Sequence, residues 1–180
     1  MLSKQRIKEA ELNFKQYLNE GLLKKELYRK EIYNTFIDNF NQSIKLLNII
    51  NKENISNLWQ IVVSYYTMFY IANAFLYKLG FKTGNKIVHK VVSDSLIVLA
   101  REKLKETYLE DYETIKNEAL ELAYNKADEI LDYYDKERIK RNIFQYETHE
   151  EIKKSKAKTS FERAILFSNE ILKLLNKDKI

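Results

Sequence analysis

From Asn54 to Tyr77 the chain carries no formal charge, and this run constrains the fold more than anything else in its 180 residues. It is long enough to cross a bilayer. Yet Asn54, Ser56, Asn57, Gln60, Ser64, Thr67 and Asn73 interrupt it, besides several tyrosines. Such polar groups are costly in hydrocarbon without partners. The run therefore reads as the central helix of a soluble bundle, not a membrane span. Leu58, Trp59, Ile61, Val62, Tyr65, Tyr66, Phe69, Ala72, Phe75 and Leu76 cover most of its circumference. A helix apolar all round belongs at a bundle centre or in a subunit interface.

Its neighbours also read as helices. Ser3 caps a first helix running to about Asn19, with Ile7, Ala10, Phe14, Tyr17 and Leu18 as its apolar stripe and Gly21 as its stop. A second spans about Leu23 to Ile50, striped by Leu27, Ile32, Phe36, Phe40, Ile44 and Leu47, with Glu26 paired to Lys30. The uncharged helix starts at Asn54 or Ser56, continues to Leu79 and stops at Gly80. After a loop from Phe81 to Asn85, helices are expected over Ile87–Leu104, Tyr112–Tyr134 and Ile152–Leu175. The segment from Glu137 begins a further helix or continues the one before. The last helix turns Ala157, Phe161, Ala164, Ile165, Phe167 and Ile171 inward.

No alternating apolar run is bounded by turn residues, so no strand is expected. With no Pro and only three Gly, the chain has little material for the tight turns of an all-β protein. The fold class is all-α: one domain over residues 1–180, an up-and-down bundle of about five to seven helices with an N-terminal helical extension over about 1–22. Cysteine is absent, which excludes disulfides and thiolate metal sites. The two His lie far apart, and neither a metal nor a cofactor is expected. A net charge of +5 permits nucleic-acid contact without requiring it. The N-terminus leads into amphipathic sequence with no apolar signal core, so the expected location is cytoplasmic.

Chemistry-bearing residues concentrate between Glu137 and His149. On a regular helix Arg138, Asn142, Gln145 and His149 fall within about 60° of one another, with Tyr146 at the border and Arg141 on the adjacent face. Arg offers a fixed fork of donors suited to phosphate. Asn and Gln can orient an anion or a hydroxyl, and His can move protons near neutral pH. This is a plausible set for cleaving RNA without a metal, the ribose 2′-OH being the nucleophile. The plain alternative is a solvated helix in which Glu137 pairs with Arg141.

The run Ser64-Tyr65-Tyr66-Thr67-Met68-Phe69-Tyr70-Ile71-Ala72-Asn73-Ala74-Phe75-Leu76, then Gly80, then His89, resembles the HEPN domain family. Arg141 to Tyr146, followed by Ala157 to Phe167, is similar to that family's C-terminal half. The resemblance covers about Tyr28 to Leu175 and implies a helical bundle that dimerises. The family divides between metal-independent RNases, often toxins encoded beside a minimal nucleotidyltransferase antitoxin, and non-catalytic binding members. Active members carry an Arg, a polar residue and, shortly afterwards, a His.

Here Arg141 and Asn142 match, Tyr146 stands where the His is expected, and His149 follows three residues later. Tyr, with an ordinary pKa near 10, is a poor base at neutral pH but a good donor and stacking partner.

The catalytic reading thus uses Arg141, Asn142, Tyr146 and His149, with Arg138, Arg141 and Gln145 contacting RNA or nucleotide. The alternative is a non-catalytic module that binds nucleotide or docks a nucleotidyltransferase. A third reading makes the segment a mere subunit contact. In the expected homodimer, the uncharged helix and the segment lie at or near the two-fold interface. His89 reads as a hydrogen bond that fixes the bundle rather than as a catalyst.

Overall fold

The structure, a computed structural model, describes residues 2–138 and 153–177, leaving out the side chains of 125–138 and 177. Six helices and two short strands follow in the order α1 (Lys4–Asn19), β1 (Leu23–Lys25), α2 (Lys30–Glu53), α3 (Asn57–Lys78), β2 (Phe81–Thr83), α4 (Val88–Ala100), α5 (Glu106–Arg138) and α6 (Lys154–Lys177). The molecule is mainly helical, as its composition requires.

The uncharged run becomes α3, and its ends obey local rules. Ser56 caps it by accepting from the Trp59 N–H at 3.3 Å. Gly80, at φ 85°, takes the left-handed turn just beyond its end. Asn54 at φ 49° ends α2 in the same conformation, which Asn tolerates better than most residues. α3 packs against α2, α4, α5 and α6, so its apolar circumference is met mostly within one chain. Tyr65, Met68, Ile71, Ala72, Ala74, Leu76 and Tyr77 are fully buried there. One face of α3 stays open. Trp59 is 54% exposed, and Val63, Tyr66 and Tyr70 are partly exposed; positions 59, 63, 66 and 70 fall on a single helical stripe.

Two expectations need correction. A strand pair does exist: β1 and β2 run antiparallel with Leu23 opposite Thr83, Lys24 opposite Lys82 and Lys25 opposite Phe81. Residues 23–25 therefore belong to this ladder and not to the second helix, which begins at Lys30. Leu23 is driven into a small cluster with Tyr17 and Val91, flanked by Phe14, Leu18, Leu22 and Phe81. Leu27, assigned above to a helical stripe, is 89% exposed. Glu26 pairs with Arg29 and Lys82 instead of Lys30. Strands of three residues are too short to display an alternating pattern.

The other boundaries move by a few residues. α4 stops at Ala100, and Leu104 is buried in the turn that follows. α5 starts a turn and a half earlier than expected and continues to Arg138. α1, the expected extension, packs against α4 and β1 and closes the second cluster.

Candidate functional site

Of the predicted site residues, Arg138 ends α5 with its side chain outside the described part. Arg141, Asn142, Gln145, Tyr146 and His149 lie outside the described residues altogether. What the structure does bring together is a polar cluster between α1, α4 and α5, which the sequence reading did not anticipate.

Asp94 is its centre. It sits in the middle of α4, in an otherwise uncharged run from Val91 to Ala100, and its side chain is fully buried. α1 supplies most of its partners. Arg6 Nη2 donates to Oδ1 at 2.6 Å, Asn13 to Oδ2 at 3.0 Å and the Tyr17 hydroxyl to Oδ2 at 2.7 Å. Lys90, one turn earlier on α4, reaches Oδ2 at 3.4 Å. Burial works against the Asp94 charge, but the bonds from Tyr17, Arg6 and Asn13 prevail and hold its pKa below the usual carboxylate range.

Arg6 links this carboxylate to a second one. Its Nε donates to both oxygens of Glu113 at 3.0 and 3.2 Å, and Nη2 reaches Oε1 at 2.5 Å. Burial penalises the guanidinium, yet Glu113 and Asp94 outweigh it and raise its pKa above the ordinary value. Its Nη1 is buried with no hydrogen-bond partner among the described residues. The Ser93 hydroxyl donates to Glu113 at 2.9 Å, and Lys116 Nζ reaches the Ser93 oxygen at 3.2 Å. Lys116 is only 12% exposed and lies 3.8 Å from Glu113. Burial lowers its pKa, with Glu113 offsetting part of the effect.

Beside Lys116 stands His89, in the first turn of α4. Its Nδ1 meets the Tyr65 hydroxyl at 2.7 Å, the bundle-fixing bond expected of this residue. Tyr65 is fully buried and burial raises its pKa, so it keeps its proton. Tyr112 hydrogen-bonds the Tyr65 oxygen as donor, so the Tyr65 proton is the one left for Nδ1. The neutral imidazole then carries its own proton on Nε2. Burial, and then the charge of Lys116, lower the His89 pKa. Phe69 flanks the ring with centroids 5.0 Å apart, and Tyr66, on the open stripe of α3, meets it edge-on at 6.1 Å. Tyr112 packs edge-on to Tyr65 at 5.9 Å, its buried hydroxyl directed at the Tyr65 oxygen.

Arg6, Glu9, Ile87, His89, Lys90, Glu113, Lys116, Asn117 and Leu120 line an open cleft of about 530 Å³ above this network. Donors dominate its chemistry, since Glu113 is engaged by Arg6 and Ser93, and Glu9 by Lys90 at 3.1 Å. Ile87 forms part of the rim in a left-handed conformation, φ 41°, that β-branched residues seldom adopt. Among the described residues, no group of three or more His, Cys, Asp and Glu is placed to hold a metal. None of the helices they form is long and apolar enough to cross a membrane. The sequence signal for this site was the lone acid in an apolar helix, because a charge placed there must find a partner. Compared with known proteins, the chain matches no family model, no curated protein and no solved structure.

Proposed function

We propose that this is a HEPN-like helical protein that works in the cytoplasm as a homodimer. In this reading it acts on RNA or a nucleotide through Arg138, Arg141, Asn142, Gln145, Tyr146 and His149. The observation that carries the reading is the bond from Tyr65 to His89 at 2.7 Å. It joins two residues of the motif on which the resemblance rests, across the central helix and the start of the next. Gly80, a third motif residue, makes the left-handed turn between them. Pairing is supported by the uncovered stripe of Trp59, Val63, Tyr66 and Tyr70, whose aromatic and apolar character suits burial against a second copy.

As a nuclease, the protein would hold the scissile phosphate with Arg141 and orient it with Asn142. The ribose 2′-OH attacks phosphorus, the 5′-oxygen leaves, and His149 or Tyr146 handles the protons. The product carries a cyclic phosphate end, and no divalent ion is needed. Incubation of purified protein with structured and single-stranded RNA in EDTA tests this. The expected result is cleavage that Arg141→Ala abolishes; uncut RNA, or cutting unchanged in that variant, defeats it.

One observation favours a non-catalytic second reading: Tyr146 occupies the position where the resemblance calls for a His. The same residues would then bind a nucleotide or RNA end, or dock a nucleotidyltransferase partner, without cleavage. Binding without cutting, lost in Arg141→Ala, is its signature.

A further inference from the structure

The cleft between α1, α4 and α5 draws on none of the side chains to which the RNA reading gives phosphate, and its donors are unevenly occupied. Lys116 has only the Ser93 oxygen at 3.2 Å and a carboxylate at 3.8 Å that Arg6 already holds more closely. His89 uses Nδ1 on Tyr65, and its Nε2–H has no partner among the described residues. The same is true of the exposed Asn117 amide. Lys90 spans Glu9 at 3.1 Å and Asp94 at 3.4 Å, itself half exposed at the mouth.

Charge bookkeeping separates the rim from the floor. Arg6 and Lys116 on the floor and Lys90 at the mouth face the carboxylates of Asp94 and Glu113, an excess of one positive charge. Glu9 balances it from the rim, but it is 53% exposed and free to swing toward water. A buried cation with a shared carboxylate is held in an expensive state. An oxyanion in the cleft would relieve it, and phosphate oxygens match point-charge ammonium groups and an imidazole N–H. Ile87, 57% exposed, and Leu120 provide apolar wall beside these donors. That mixture of a cationic floor and a greasy lip suits an ester better than a bare ion.

We propose that this cleft binds a small phosphate monoester, with Lys116, Lys90 and the Nε2–H of His89 taking the phosphoryl oxygens and Ile87 and Leu120 covering the esterified group. Binding then favours protonation of His89, because the dianion offsets the neighbouring positive charges of Arg6, Lys90 and Lys116. This site stands whether or not the segment 138–149 handles RNA.

The chain has two His, so two imidazole Hε1 signals report separately in proton NMR, and His89→Gln assigns them. The full chain is titrated with phenyl phosphate and with inorganic phosphate at constant ionic strength. The proposal expects a saturable shift of the His89 signal, a rise in its titration midpoint, and tighter binding of phenyl phosphate than of phosphate. Lys116→Met weakens binding about tenfold, as loss of one charge-assisted bond implies. Lys90→Met, at an exposed position, gives the same direction if the Lys116 variant fails to fold. An unmoved His89 signal, a response of the His149 signal alone, equal affinity for the two probes, or a shift unchanged in the folded Lys variants overturns it.

Discussion

Replacing Asp94 removes a shared acceptor from three donors at once: the guanidinium of Arg6, which keeps Glu113, the amide of Asn13 and the hydroxyl of Tyr17. Because the carboxylate is fully buried and Arg6 mostly so, Asp94→Ala should cost about 3–5 kcal/mol. Urea unfolding monitored by circular dichroism measures it; a loss near zero would mean the network contributes nothing. The Tyr65–His89 bond is neutral, and Tyr65→Phe should cost only about 1 kcal/mol in the same assay.

Protons test both residues. The folded-state pKa of His89 is depressed, so the stability it contributes is present above the unfolded value of about 6.5 and fades as pH falls through the folded value. Asp94 behaves likewise in its own window, beginning below about 3.9. A stability profile with two successive losses on acidification is expected, the upper one missing in His89→Gln. The bundle-fixing bond of His89 was expected from sequence, but the partners of Asp94 were not legible, because the pairing of Arg6 with residues 88 and 107 positions away depends on how α1 docks.

At the scale of elements, α1 is the least embedded helix, packing on α4 and β1 and reaching α5 through the Arg6–Glu113 pair. Its apolar contribution rests on Ala10 and Tyr17, and its polar contribution on Arg6, Asn13 and the Glu9–Lys90 and Glu11–Arg101 pairs. The exposed pairs are weak in water. Arg6→Ala should therefore loosen α1 before anything else. Hydrogen exchange should accelerate across Lys4–Asn19 while α3 stays protected; uniform acceleration would contradict this. At the end of α3, Gly80→Ala would meet no close atom, the nearest being the Glu26 carbonyl at 3.9 Å, so its cost comes from the left-handed backbone alone. About 1–2 kcal/mol is expected.

Elements announced by local chemistry were read well from sequence. Ser3 and Ser56 cap where they should, and Gly21 and Gly80 mark turns at positive φ. The strand pair was hidden because each strand owes its existence to the other, fifty-odd residues away, and to the pocket that takes Leu23. Helix length was the other miss. Nothing in the local sequence before Tyr112 marks the α5 start at Glu106 as strongly as Ser56 marks α3.

For the molecule as a whole, the uncharged run of α3 finds its partners in α2, α4, α5 and α6. The fold class followed from that run because a buried helix requires others around it. The proposed dimer then needs only the stripe that remains open. Trp59→Glu combined with Tyr66→Glu should shift the sedimentation coefficient from dimer to monomer while leaving helicity intact. A wild-type monomer at micromolar concentration would contradict the pairing. For the segment proposed to handle phosphate, the sequence offers residue types, Arg and Asn beside Tyr and His, and types alone do not fix where guanidinium and imidazole groups meet.

In the proposed function, the bundle handles nucleic-acid phosphate through Arg141. Fluorescence anisotropy of a labelled RNA across a salt series, in EDTA, tests it most directly. Affinity should fall linearly in log–log form as salt rises, and Arg141→Ala should weaken binding and reduce the slope by about one phosphate contact. Binding that ignores salt, or a variant indistinguishable from the parent at every salt concentration, would contradict it.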